Sequence, residues 1–267
     1  MAALSISRAW DDTRACLRRD GRLYATVALA LFVVPGVIAE LVTPAAPAGQ
    51  LPTPGYWTGL SMLALLISLI GQLAVCRLAL GPAISVGQAI RHGVRRAPAY
   101  VAAAIIWILP FLLLFALLAA RVGANPQTMS AGVALAMLAL LVAFVAVAVR
   151  LILASPIATA EPLGPLGILK RSWSLTRGRW LKLFGCLLLF VIALLIAMFA
   201  VSAIIGLLAT LLLGEIEPLS VGALLLSLAT QIVGAIVTTL LMIMLARIYA
   251  QLVGTGQGAY ASVPQAP

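Results

Sequence analysis

The chain has 267 residues, of which 64% are hydrophobic and only 9% are charged. A water-soluble domain is about half apolar and about a quarter charged. This composition therefore excludes a water-soluble domain, because too few polar residues are present to cover its surface. The formal net charge is +10. Since the basic residues flank apolar runs, they indicate anionic lipid headgroups as the counter-charge and argue against nucleic acid as a partner.

The residues that could carry enzymatic or metal chemistry are few and scattered. Cys16, Cys76 and Cys186 have no CxxC spacing and indicate free thiols. His92 is the single histidine and the seven acidic residues are dispersed, so neither a metal site nor a catalytic triad is indicated. We therefore expect no cofactor and no enzymatic activity.

Six apolar runs follow one another along the chain, and each is long enough to cross a bilayer as a helix, which takes about 20 residues. The runs cover residues of about 23–42, 57–80, 99–120, 130–155, 183–213 and 219–245. A cleaved signal peptide is an alternative for the first run, but the run is too long and the segment before it is too large and too mixed in charge. The fifth run exceeds the length needed, so it must tilt, protrude or break, and Gly206 is the best candidate for a break.

Short basic segments precede three of these runs, and we predict that they form interfacial helices of about 4–20, 83–97 and 165–180. In the first, Ile6, Trp10, Thr13 and Leu17 share one helical face and charged residues occupy the other, as in helices that lie in the bilayer interface. The alternative for this first segment is a solvated N-terminal tail. Together, the apolar runs and the segments that precede them predict one membrane domain over 1–252 and a disordered tail over 253–267.

The charge asymmetry across the predicted spans indicates their orientation. Six spans place both chain ends on one side, and that side then holds 16 of the 17 basic residues, with Arg121 alone on the other. The positive-inside rule therefore puts both termini in the cytoplasm, as expected for a multi-pass protein of the bacterial inner membrane.

An internal repeat is also indicated. Residues 171–177, RSWSLTR, match residues 8–14, RAWDDTR, with Arg, Trp, Thr and Arg at the same spacing. A more degenerate copy surrounds Ile90, which lies 80 residues after Trp10 and 83 before Trp173. The predicted fold is thus an all-α integral membrane protein, in which an interfacial helix and a helical hairpin occur three times about a pseudo-threefold axis. Chance similarity in so biased a composition is the alternative.

The segment 156–182 resembles part of a known family. Its Glu161, Gly167, residues 170–173 (KRSW) and residues 175–178 (LTRG) look like the membrane domain attached to some glycerophosphoryl diester phosphodiesterases, and like related six-span bacterial membrane proteins. In the fused enzymes the activity belongs to a separate soluble barrel, which this sequence lacks. The resemblance therefore implies the six-span fold and does not transfer the activity.

The second span of each pair carries one arginine, one to two turns inside its cytoplasmic end. These residues either snorkel to the headgroups, pair with acidic residues such as Glu161, or converge with arginines of the segment 165–180 on a phospholipid phosphate, which suits guanidinium groups. The candidate anionic-lipid contacts are Arg77, Arg150, Arg171, Arg177 and Arg247.

Tryptophans and glutamines complete the set of candidate residues. Trp10, Trp173 and Trp180 are predicted interfacial anchors, and Gln72 and Gln231 are predicted interhelical hydrogen-bond partners. The expected function is that of a non-enzymatic scaffold or anionic-lipid-interacting protein in envelope homeostasis. The alternative is a small-solute or lipid transporter or channel, which a polar cavity at the bilayer midplane would support.

Overall fold

A computed structural model describes residues 5–44, 53–81, 84–122, 130–213 and 220–254, and all the regular structure in these ranges is helical. The helices are α1 (Ile6–Ala28), a π-helical turn (Leu29–Val33), α2 (Val34–Val42), α3 (Tyr56–Leu80), α4 (Val86–Val122), α5 (Ala131–Arg150), α6 (Ala154–Ala160), α7 (Pro165–Thr176), α8 (Trp180–Leu213) and α9 (Val221–Val253). Six helical stretches are long and apolar enough to cross a membrane. The prediction of an all-α protein with six such stretches is confirmed for the described residues.

The first stretch runs from α1 through the π-helical turn into α2, and Pro35 explains the irregularity. A proline has no backbone N–H for the carbonyl four residues earlier, here that of Leu31. The Ser68 hydroxyl, from α3, donates to this carbonyl at 3.4 Å. The neighbouring helix thus supplies the donor that proline lacks, as lipid-embedded backbone requires.

The three predicted interfacial segments have different structures. The described parts of the segments 4–20 and 83–97 are continuous with the spans that follow, because they form the first turns of α1 from Ile6 and of α4 from Val86. Within α1, a non-helical backbone at Asp20 (φ −121°, ψ 19°) marks the boundary. The third forms a separate helix, α7, which ends at Thr176 rather than at 180. Gly178, with φ +78°, adopts the left-handed conformation that commonly ends helices. When residues 8–14 are aligned with residues 171–177, Ala15 stands at the position of Gly178, and helix α1 continues through it.

The fourth and fifth spans also differ from the prediction. Helix α5 ends at Arg150, and a turn leads into α6, so the predicted span 130–155 covers two helices. Helix α8 passes through Gly206 without a break. Breaking a helix in lipid would leave backbone groups without partners at several kcal/mol each, whereas glycine in a helix costs about 1 kcal/mol. The continuous helix is therefore the more stable form.

The core lies toward one end of the bundle, here called the basic end, which carries Arg77, Arg150 and Arg247. Fully buried side chains from α3, α6 and α9 meet there, among them Leu73, Ile157 and Ile248. Farther from this end, α4, α5 and α8 present many of their leucines outward. This distribution suits a bundle whose outer surface contacts lipid, because lipid tails are as apolar as leucine.

A polar contact joins α2 to α9 at the far end. Glu40 Oε2 accepts hydrogen bonds from the Ser227 hydroxyl at 2.8 Å and from Gln231 Nε2 at 3.0 Å. The prediction that Gln231 is an interhelical hydrogen-bond partner is confirmed. The close approach of the helices depends on Gly36, because a Cβ there would lie 2.3 Å from the Gln231 side chain.

Gly178→Ala tests the helix break between α7 and α8. A non-glycine residue in the left-handed region costs about 1–2 kcal/mol, so we expect unfolding in mild detergent to require correspondingly less free energy. Gly185→Ala is the matched control, because no heavy atom lies within 4 Å of its added Cβ and the backbone is helical. Equal stability of the two variants would contradict the assignment of Gly178.

Candidate functional site

Glu161 connects three helices at the basic end. It follows α6, and its Oε1 accepts hydrogen bonds from Arg171 Nε of α7 at 3.0 Å and from the Tyr249 hydroxyl of α9 at 2.7 Å. The Arg171–Glu161 pair is also an ion pair, with side chains 40% and 24% exposed. The Glu161 carboxylate accepts from two donors and is partly shielded from water. These two contacts therefore hold α7 in place relative to α9.

The carboxyl end of α6 is satisfied by side chains of α4. Arg96 Nε donates to the Ala158 carbonyl at 2.7 Å, and its Nη2 donates to the Glu161 carbonyl. His92 Nε2 lies 2.9 Å from the Thr159 carbonyl. The last carbonyls of a helix have no partner within it, so Arg96 and His92 stabilise this buried end.

Arg150 is the point where α7 attaches to α5. The Ser172 and Thr176 hydroxyls donate to its backbone carbonyl at 2.9 Å and 3.1 Å, replacing the helical bonds that are lost where α5 ends. Its guanidinium lies over the Trp173 ring, 5.2 Å from the centroid, which is a cation–π geometry. Its Nη1 is buried and has no hydrogen-bond partner among the described residues.

A cleft of about 470 Å³ opens beside this contact. We call it the basic cleft, and its lining consists of Leu151, Leu169, Lys170, Trp173, Ser174 and Arg177. Two cationic side chains, one hydroxyl and one indole that is 46% exposed therefore surround one opening. Cationic donors beside an apolar wall are what a phosphate carried on an apolar tail would contact.

The five candidate arginines do not converge on one pocket. Arg177 lines the basic cleft and Arg150 lies behind its indole, whereas Arg171 is engaged by Glu161. Arg247 is 6% exposed and its Nη2 lies 2.9 Å from Cys16 Sγ. Arg77 lies against Gly81 near the end of α3. The cationic side chains that line the cleft are thus Arg177 and Lys170, of which Lys170 was not among the predicted lipid contacts, while Arg150 contacts the cleft only through the Trp173 ring.

The three predicted tryptophan anchors are held in different ways. Trp173 forms a wall of the basic cleft. Trp10 carries the Arg14 guanidinium over its ring at 5.3 Å. Trp180 donates through Nε1 to the Ala146 carbonyl at 3.3 Å and stacks on Phe184 at 5.1 Å between centroids, so it also joins α8 to α5.

A second opening, of about 520 Å³, lies between the start of α1 and helices α8 and α9. We call it the apolar groove, and its lining consists of Ile6, Ser7, Trp10, Cys186, Leu189, Phe190, Ala193, Val237, Leu240 and Met244. Ser7 and Trp10 are at one end, and the walls beyond them are apolar. No polar channel at mid-depth is formed by the lining of these two openings.

Several residues of the site were missed by sequence reasoning. At the end of α6, carbonyl groups are contacted by Arg96 and His92, and the Glu161 carboxylate accepts from Tyr249. No local sequence pattern marks these three residues, because their partners are 62 to 88 residues away in sequence. Pro162, directly after Glu161, is a local signal that a helix ends there. Within the described ranges, no three His, Cys, Asp or Glu side chains come together as a metal site.

Comparison with known proteins gives one match. The model of a family described as a domain of unknown function, DUF7847, matches residues 4–252. No curated protein and no solved structure matches. These comparisons give no support to the resemblance to the glycerophosphoryl diester phosphodiesterase membrane domain.

Glu161→Ala tests the connecting role of this carboxylate. Loss of the Arg171 pair and of the Tyr249 hydrogen bond should lower the free energy of unfolding by about 1–3 kcal/mol, measured by denaturant titration in mild detergent. Tyr249→Phe should cost about 1 kcal/mol, and little further loss is expected when it is added to Glu161→Ala. Tyr56→Phe, at a side chain 78% exposed, is the control. Fully additive losses would show that Tyr249 acts independently of Glu161.

Proposed function

We propose that this chain, which belongs to the DUF7847 family, is a non-enzymatic membrane protein that binds anionic phospholipid at the basic cleft. The observation that carries the proposal is the meeting of Lys170, Arg177 and the exposed Trp173 at one opening at the basic end. Lysine and arginine donate charge-assisted hydrogen bonds to phosphate, and an indole suits the boundary between headgroup and acyl chain. A role as a scaffold in envelope homeostasis is the wider expectation.

Arg150 supports the choice of an anionic ligand. Its guanidinium lies against the back of Trp173, and its Nη1 is buried with no acceptor among the described residues. A buried cationic donor without an acceptor is costly. A phosphate in the adjoining cleft would offset part of this cost through its charge, whereas a neutral headgroup would offset much less.

A transporter or channel is less well supported by the same geometry. Such a protein usually keeps an ionisable group or a polar cavity within the membrane. The apolar groove has no charged residue in its lining, and the basic cleft lies beside the ends of α5 and α7 rather than at mid-depth. The resemblance of residues 156–182 to the membrane domain of the phosphodiesterases stays a prediction.

Retention of anionic lipid tests the proposal. Native mass spectrometry of gently extracted full-length protein should detect bound phosphatidylglycerol, and Lys170→Gln with Arg177→Gln should weaken its binding about tenfold or more, because two charge-assisted contacts are lost. Both side chains are exposed, so the fold should tolerate the change.

The matched control is Arg91→Gln with Arg95→Gln, which removes the same charge from two exposed positions of α4 that line neither opening. Binding of phosphatidylcholine should differ little among the three proteins. If the control loses as much phosphatidylglycerol as the cleft variant, the effect is general surface attraction, and the proposal fails.

We also propose that the basic end faces the cytoplasm of a bacterial inner membrane, supported by the excess of lysine and arginine there. Arg95→Cys and Arg121→Cys place thiols at exposed positions near opposite ends of α4. The native cysteines are buried and serve as the background. In intact spheroplasts a membrane-impermeant maleimide should label the Arg121→Cys protein. It should label the Arg95→Cys protein only after the membrane has been permeabilised. The reverse pattern would invert the orientation.

A further inference from the structure

The apolar groove and the basic cleft have a common design. Three residues of the groove, Ile6, Ser7 and Trp10, precede three residues of the cleft, Leu169, Lys170 and Trp173, by a constant 163 positions in the sequence. Both indoles carry an arginine guanidinium over the ring, at 5.3 Å in the groove and 5.2 Å in the cleft. The same helical face thus borders both openings.

The backbone behind these faces is attached in the same way. Thr13 and Thr176 are completely buried, and each donates its hydroxyl to the carbonyl four residues earlier, at 2.7 Å and 2.9 Å. Those carbonyls belong to Ala9 and Ser172, which are also completely buried. Small residues four apart allow a helix to pack closely. The two tryptophans therefore project outward from equivalently seated helices.

The openings differ in what lies opposite the tryptophan. In the groove, α8 contributes four residues between Cys186 and Ala193, and α9 contributes three between Val237 and Met244. Each wall therefore extends over seven helical steps, or about 10 Å along its helix. These walls are apolar, whereas Ser7 and Trp10 come from the start of α1, which contacts Gln251 of α9, beyond Met244. Arg14 lies over the indole at this end without being part of the lining. The groove therefore has a polar, cationic end and an apolar channel that leads away from it.

We infer that the apolar groove is a second lipid site, which holds one acyl chain of an anionic phospholipid whose phosphate lies near Trp10 and Arg14. A flexible apolar chain with a negative group at one end matches both the apolar walls and the cation at the polar end. The volume falls within the range of about 300–1,000 Å³ that is usual for ligand sites. The ligand class rests on the proposed function, but the site and its residues are separate from the basic cleft.

Filling the groove tests this inference directly. Ala193→Trp places an indole in the channel from a position that is exposed in the protein, and Ala116→Trp makes the same change at an exposed position of α4 that lines neither opening. Full-length protein is delipidated in detergent, phosphatidylglycerol is added back, and bound lipids are counted by native mass spectrometry. We expect Ala193→Trp to bind one lipid fewer, with about tenfold lower occupancy of that site, and Ala116→Trp to match the parent.

Arg14→Gln tests the polar end of the groove. It should weaken phosphatidylglycerol binding several-fold and leave phosphatidylcholine binding nearly unchanged, because phosphatidylglycerol carries a net negative charge whereas the choline ammonium neutralises the phosphate of phosphatidylcholine. Arg18→Gln, at another exposed position of α1, should have little effect. If Arg14→Gln and Arg18→Gln behave alike, no headgroup is held at Trp10.

The results separate this inference from the proposed function. If Ala193→Trp retains as many lipids as the parent, the groove is not a lipid site, whatever the Lys170→Gln and Arg177→Gln protein shows. If that double variant matches the parent while Ala193→Trp loses one lipid, the basic cleft fails and the groove stands. Simultaneous loss at both places supports two independent sites.

Discussion

The constraint on which this structure depends is that backbone polar groups in or near a bilayer must find partners within the protein. At three interruptions, a side chain from another helix donates to a carbonyl that lacks its helical partner. Ser68 does so at the carbonyl before Pro35, Ser172 and Thr176 do so at the end of α5, and Arg96 does so at the end of α6. The interruptions therefore determine where helices attach to one another.

The same constraint explains why polar residues gather at the basic end. Short helices such as α6 and α7 have many unpaired end groups relative to their length, and each needs donors or acceptors from outside. Glu161, with Arg171 and Tyr249 around it, is the meeting point of these contacts. Once α7 is seated in this way, its remaining cationic side chains, Lys170 and Arg177, face outward and form the basic cleft beside Trp173. The proposed ligand site is thus a consequence of how the chain is interrupted.

The continuous helices were predictable and the interruptions were only partly so. Long apolar runs dictate helices in lipid whatever their neighbours, which is why α3 lies close to its predicted range and α9 begins close to its own, although α9 extends eight residues beyond it to Val253. Gly206 was a poor indicator of a break, because α8 continues through it and a helix that stays intact in lipid keeps its own backbone bonds. Gly178 does follow the end of α7, and its left-handed backbone lets the Arg179 N–H donate to the Thr176 carbonyl at 3.1 Å. The effect of a glycine depends on its surroundings, which a local pattern does not contain.

The sequence by itself determined the class, the number of apolar helices and the clustering of basic residues near one set of helix ends, because these follow from composition and from the period of local patterns. It also contained the matching segments around Trp10 and Trp173. Only the tertiary structure decided which arginines are engaged and which are available. Arg171 is bound by Glu161 and Arg247 is buried beside Cys16, whereas Arg177 lines a cleft. These roles depend on partners from distant parts of the chain, and burial and pairing arise only when the helices pack.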